Sequence, residues 1–123
     1  MNYILVFVGG GIGSMCRYAI SHALNRYHFT FPWATFIANA LSCIIFGVIA
    51  SLVLKNMISS PQYRLLLLTG FCGGFSTFST FSNETFVLFA NGQWAYAFAN
   101  IALSLLVCLF CIYLGMKIAS FIY

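Results

Sequence analysis

Charge is nearly absent from this chain, and that limits its fold more than any other feature. Among 123 residues there are five Lys or Arg side chains and a single acid, Glu84, so charged residues make up 5% of the total while 63% are hydrophobic. A water-soluble domain carries about 25% charged residues and needs them to cover its surface. This composition excludes a large aqueous domain, a disordered tail and a basic nucleic-acid patch. The formal +4 comes from scattered side chains, which is no phosphate footprint, and nucleic acid is not an expected partner. The solvent that suits such a chain is a lipid bilayer.

Crossing a hydrocarbon core of about 30 Å takes about 20 apolar helical residues. Polar interruptions divide the chain into four stretches of that size, at about 3–24, 32–54, 64–90 and 94–118. The breaks fall at Asn25-Arg26-Tyr27-His28, Lys55-Asn56, Ser59-Ser60-Pro61 and Asn91-Gly92-Gln93. Trp33, Trp94, Tyr63 and Tyr27 stand at the ends, where amphipathic rings favour the headgroup layer. The alternating stretches of about ten residues that make barrel strands are missing. The expected fold is one all-α integral membrane domain of four transmembrane helices. No cleaved leader or lipid anchor is expected, since Met1-Asn2-Tyr3 has neither a basic n-region nor a myristoylation glycine, and no Cys-a-a-X box closes the chain.

Orientation is weakly specified. Lys55, Arg64 and Lys117 lie on the side shared by both termini, against Arg26 and, if it counts, Arg17 on the other. So slight a positive-inside bias fits a single weakly preferred orientation, or insertion both ways and with it an antiparallel homodimer.

Polar groups inside a span are expensive and point to function. In the first span, Gly9-Gly10-Gly11-Ile12-Gly13-Ser14 offers two small-xxx-small pairs, Gly9/Gly13 and Gly10/Ser14, for close helix approach. A nucleotide-binding glycine loop would need a preceding strand and a later acid, and has neither. Gly10, Ser14, Arg17 and Ser21 share a face; Arg17 either snorkels to the interface or faces a wet vestibule that attracts anions. The second span carries Thr35, Asn39 and Ser42 on one face. Asn39 is interhelical glue or a donor to an anion.

The third span departs furthest from an ordinary lipid-facing helix. Gly70-Phe71-Cys72-Gly73-Gly74-Phe75-Ser76-Thr77-Phe78-Ser79-Thr80-Phe81-Ser82-Asn83-Glu84 combines poor helix formers with hydroxyls that compete for backbone partners. It predicts an unwound break around 73–77, tolerable only if buried or lining a cavity. Freed carbonyls there suit a small cation. Phe75, Phe78 and Phe81 recur every third residue, and inward-turned ring edges favour an anion, while plain aromatic packing is the alternative. Glu84 reads as a surface carboxylate, a proton site or an acceptor that orders hydroxyls. The fourth span bears Asn100, Ser104, Cys108, Cys111 and Gly115 as a small, weakly polar stripe, suited to a pore wall or a close dimer contact. None of the five cysteines shows a metal spacing, and Cys108-x-x-Cys111 lies in hydrocarbon without a redox-domain pattern. With one acid, no hydrolytic or metal constellation can be assembled, and an enzyme is not expected.

At these residues the sequence resembles the Fluc/CrcB fluoride channel family over all four spans. Gly9 to Tyr18 is similar to its first-helix motif, with Ser14 in place of the usual alanine. Pro32 to Asn39 is similar to the second, with Ala34 for glycine and Phe36 for leucine, and Ser42 also replaces a usual glycine. Gly70 to Ser82 is close to the long third-helix signature, Ser76 replacing threonine. The resemblance implies an antiparallel, dual-topology homodimer with a broken third helix, two fluoride pores and a central structural Na+. It implies residence in the plasma (inner) membrane of a prokaryote. It further implies Phe78, Phe81 and Asn39 as pore residues and Arg17 as the vestibule arginine. The carbonyls of Gly73 and Ser76 from both subunits would be the sodium ligands. Thr35, Ser79, Thr80, Glu84 and Ser104 match polar positions along the anion path.

The function implied is passive fluoride export. Fluoride holds its water tightly, so a selective pore must replace hydration with donors and ring edges and still let the ion go. The competing readings are a small dual-topology coupled transporter and an accessory packing subunit. The first is disfavoured because small drug exporters carry their key Glu in the first span, which has no acid here; the second would not need a Gly break flanked by hydroxyl-Phe repeats.

Overall fold

A computed structural model describes residues 1–123. The regular structure is entirely helical, and four helical crossings are long and apolar enough to span a bilayer. The first, second and fourth are continuous: Asn2–Leu24, Trp33–Leu54 and Trp94–Ala119. This is a multi-pass membrane protein, with the outward faces of its helices clad in Leu, Ile, Phe and Tyr.

Turn chemistry punctuates the crossings where the sequence breaks. Phe31 is buried and packs its ring 4.7 Å from Trp33 and 5.7 Å from Phe36 (centroid distances), tying the first loop to the start of the second helix. The second helix stops at Lys55, followed by Asn56 at φ 58°, a left-handed position that asparagine tolerates. Asn91-Gly92 reverses the chain with Gly92 at φ 71°, where a side chain would be strained.

The third crossing, 61–90, is composite. It begins at Pro61, three residues before the boundary near Arg64 expected from hydropathy, because proline is favoured in a first helical turn. One α-turn, Pro61–Arg64, leads into eight residues of π-helix, Leu65–Cys72, and a closing turn, Gly73–Phe75. The backbone then extends through Ser76 (φ −81°, ψ 155°) and Thr77 (φ −150°, ψ 119°) before a regular α-helix, Phe78–Ala90. The break predicted over 73–77 is therefore confined to its last two residues. Gly73 is helical, with φ −64° and ψ −34°; low helix propensity alone does not unwind it beside Gly74, which packs against Gly10 of the first helix.

Two backbone seams hold the helices together. Gly9 and Gly13 are buried against the first half of the third crossing, where a Cβ on Gly9 would strike the Leu66 carbonyl and one on Gly13 the Phe71 carbonyl. Gly74 presses back on Gly10 in the same way. The second and fourth-span helices share the other seam, where Gly47 meets the Ile112 carbonyl while Gly115 meets that of Ile44. Lipid tails provide no hydrophobic drive between helices, so close backbone packing at small residues provides the association. The stripe expected on the fourth span to line a pore or a dimer contact is divided: Asn100, Ser104, Cys111 and Gly115 are buried within the chain, while Ser104 and Cys108 also border a cavity. Asn100, 1% exposed, donates from Nδ2 to Thr85 Oγ1 at 2.8 Å and accepts from Ser104 Oγ at 3.2 Å.

Candidate functional site

The extended pair Ser76-Thr77 removes donors and acceptors from the helical ladder, and each must find another partner. In a continuous helix the Thr77 N–H would return to the Gly73 carbonyl; here it donates to Asn39 Oδ1 at 2.8 Å. The Thr80 N–H, due to the Ser76 carbonyl, bonds instead to Thr77 Oγ1, which caps the following helix. The break thus takes away the regular donors of the four carbonyls from Gly73 to Ser76, of which that of Gly74 accepts instead from Ser14 Oγ at 3.4 Å. Asn39 also approaches the Thr77 carbonyl through Nδ2, at a long 3.4 Å. One side chain of the second helix thereby meets both backbone polar groups of Thr77 and leaves an amide N–H over.

A second clamp lies one turn earlier. The Cys72 carbonyl accepts from Ser76 N at 3.0 Å, Ser76 Oγ at 3.0 Å and Ser42 Oγ at 3.2 Å. Ser42 is buried, and a buried hydrogen bond contributes about 1 kcal/mol net. Ser42→Ala is expected to lower stability by no more than that, since Ser76 keeps the Cys72 carbonyl satisfied. Removing both hydroxyls should cost about the sum of the single changes, since the Ser76 N–H still satisfies the carbonyl. Thermal unfolding of the four proteins in one detergent checks this double-mutant cycle.

Beyond the break a cavity of about 730 Å³ opens, with Asn39, Ser76, Thr77, Phe78, Phe81 and Ser104 on its wall. Phe78 is 80% exposed and stands 5.8 Å, centroid to centroid, from Phe81. Thr77 Oγ1 lies 3.3 Å from Ser79 Oγ and donates to Thr80 Oγ1 at 3.2 Å, so three hydroxyls make a connected run beside the two rings. Hydroxyls that rotate between donor and acceptor roles, next to ring edges, can accompany a small anion out of water.

A second cavity of about 470 Å³ is lined by Thr30, Asn83, Glu84, Asn91 and Gln93 among others. Glu84 Oε1 accepts from Thr35 Oγ1 at 2.7 Å, and Oε2 is buried without a partner. Of the three readings of Glu84, the acceptor that orders a hydroxyl is the one this geometry displays.

Of the residues singled out from sequence, Asn39, Phe78, Phe81, Ser76 and Ser104 converge on the larger cavity, with Ser79 and Thr80 bonded to its Thr77 wall. Thr35 and Glu84 pair at the smaller cavity. Gly73 is exposed at the end of the π-helical run. Arg17 is half-buried on the first helix and belongs to the lining of neither cavity. Thr77, the centre of the arrangement, is a residue that sequence reasoning placed in the break without giving it a role. Its signal was a hydroxyl residue directly before a helical run, the signature of an N-cap.

Comparison with known proteins gives this geometry its context. Residues 4–116 match the sequence model of the family described as CrcB-like protein, Camphor Resistance (CrcB). A Fluoride-specific ion channel FluC of Pyrococcus horikoshii is 46% identical over 115 residues, covering 94% of this chain and 93% of that one. Proteins of the same name from Shewanella loihica and Pyrococcus furiosus are each 42% identical, over 118 and 115 residues, and cover 95% and 94% of this chain and 94% and 93% of their own. The match runs through all four crossings, including the clamped break and both glycine seams: the chain belongs to the CrcB family.

Proposed function

We propose that the protein is a fluoride-selective passive channel that exports fluoride from the cytoplasm across the inner membrane of a prokaryote. The observation that carries the proposal is the larger cavity, where Asn39, the Thr77-Ser79-Thr80 hydroxyls and the Phe78 and Phe81 rings meet beside a backbone break. A dehydrating fluoride ion trades water for the spare Asn39 N–H, hydroxyl donors and positive ring edges. None of these is a full charge, so the ion is held loosely enough to leave. The names of the relatives above 40% identity support fluoride as the ion. A channel of this kind performs no covalent chemistry and is not an enzyme.

The finer assembly is also part of the proposal. Phe78 is too exposed for one chain to enclose an ion against it, so a second copy is needed to complete the pathway. An antiparallel, dual-topology homodimer supplies it and generates two pores. The carbonyls of Gly73 and Ser76, deprived of their regular helical donors, fit a hard monovalent cation, since unwound carbonyls are the donor set that binds Na+ inside membranes. Contributed by both subunits, they would hold a structural sodium at the dimer centre; the ion would tie the two breaks together and take no part in permeation.

The test is fluoride efflux from liposomes containing the purified protein, followed with a fluoride electrode, with valinomycin carrying potassium as counter-current. Fast efflux that requires the ionophore and excludes chloride is expected; silence from a folded dimer would overturn the reading. Glu84→Gln separates a channel from a proton-coupled carrier. The channel should keep ionophore-dependent flux within about tenfold, because the carboxylate is asked only to orient Thr35, a single hydrogen bond worth about 1 kcal/mol. A carrier should lose its coupling to the proton gradient.

A further inference from the structure

The wall of the larger cavity carries two groups that the anion pathway does not use. Cys43 of the second helix and Cys108 of the fourth-span helix both line it as free thiols. Their register explains the meeting. Gly47 touches Ile112 across the seam, and one helical turn back on each strand of that seam brings Cys43 to Cys108. Because backbone packs on backbone at Gly47 and Gly115, the two helices cannot draw apart to separate the thiols.

A pair of adjacent thiols on different helices, facing an apolar cavity, is selective in what it takes. A soft metal cation finds no charged residue among the lining to balance it. A neutral reagent that bonds to both sulfurs at once, and leaves a neutral product, needs none. We propose that Cys43 and Cys108 form a dithiol modification site for neutral trivalent organoarsenicals, and that its occupation closes the pathway past Phe78 and Phe81. Two As–S bonds form and the As–O linkage of the reagent breaks; both thiol protons leave with that oxygen as one water. Arsenic stays trivalent, so the step needs neither oxidant nor reductant. The pairing is decisive because the second sulfur attacks within the same molecule, at an effective concentration that no lone thiol enjoys. Cys16, on another helix, and Cys111, buried on the same helix as Cys108, line neither cavity. The blockade rests on the channel reading above, whereas the modification does not.

Phenylarsine oxide applied to the full-length protein in liposomes tests both parts. Intact-mass analysis should find one phenylarsenic per chain with two thiols lost to alkylation. Fluoride efflux should be lost and should return on adding a dithiol such as 2,3-dimercaptopropanol, while a monothiol at equal sulfur concentration leaves the block in place. Cys43→Ser and Cys108→Ser should each abolish the stable adduct and the inhibition; Cys111→Ser should retain both. An adduct that persists in both Cys43→Ser and Cys108→Ser overturns the site. An adduct confined to the pair with efflux unchanged supports the site and overturns its control of the pathway. If the untreated protein conducts no fluoride, the channel reading fails, and the mass analysis still decides the site by itself.

Discussion

Fluoride efflux through Asn39→Asp is expected to fall by about three powers of ten with the fold intact. The substitution preserves shape and keeps an oxygen to accept from the Thr77 N–H, the shorter of the two Asn39 bonds at 2.8 Å, so the break stays pinned. It removes the amide donors and places a carboxylate on the wall of the cavity proposed as the anion's path. Two like charges about 4 Å apart at an effective dielectric of about 20 repel by about 4 kcal/mol, which is about a thousandfold in rate. The liposome efflux assay measures the flux, and size-exclusion elution with circular dichroism verifies that the protein remains folded. Efflux within about tenfold of the parent would mean that the anion does not pass Asn39, since so near a charge must register.

The second large effect falls on folding. Gly47→Ala or Gly115→Ala sets a methyl group against a carbonyl of the facing helix, Ile112 in the first case and Ile44 in the second. A flexible side chain could turn aside from such a contact, but a backbone carbonyl within a helix cannot. Overpacking costs about 1–3 kcal/mol where neighbours can adjust, and here the upper end, about 3 kcal/mol, is expected because the seam itself must open. Gly11→Ala is the control: nothing lies within 4 Å of its Cβ position, and exchanging glycine for alanine in a helix should gain up to about 1 kcal/mol. Unfolding midpoints in a denaturing-detergent titration separate the two classes. Equal midpoints for Gly47→Ala and Gly11→Ala would contradict the seam.

The glycines illustrate how far a linear reading reaches. Gly9 and Gly13 announced a close helix contact by their spacing, because small residues four apart share a face whatever the fold. Their partner was not legible: that they meet Leu66, Phe71 and Phe75 depends on which crossing lies beside the first. Gly47 and Gly115 were harder still. They are single glycines 68 positions apart in the chain, and only the packed pair makes either one a contact. The fourth-span stripe was visible as a stripe, but hydropathy cannot distinguish a wall facing a cavity from one facing a neighbouring helix. The packed structure divides it: Asn100 bonds to Thr85 of the neighbour, while Ser104 and Cys108 border the cavity.

The break is similarly divided. Glycines and hydroxyls between 70 and 82 foretold an irregular backbone, since poor helix formers beside competing donors weaken the ladder. Its position two residues beyond the glycines was set by Asn39, a residue of another helix that accepts the Thr77 N–H. The sequence by itself determined the membrane as solvent, the number of crossings and the span that must break, because these follow from the cost of burying charge and backbone polar groups in hydrocarbon. Only the tertiary structure decided where the break falls, which carbonyls lose their regular donors and which side chains share a cavity. Those outcomes depend on hydrogen bonds between residues far apart in the chain, which exist only once the helices are packed.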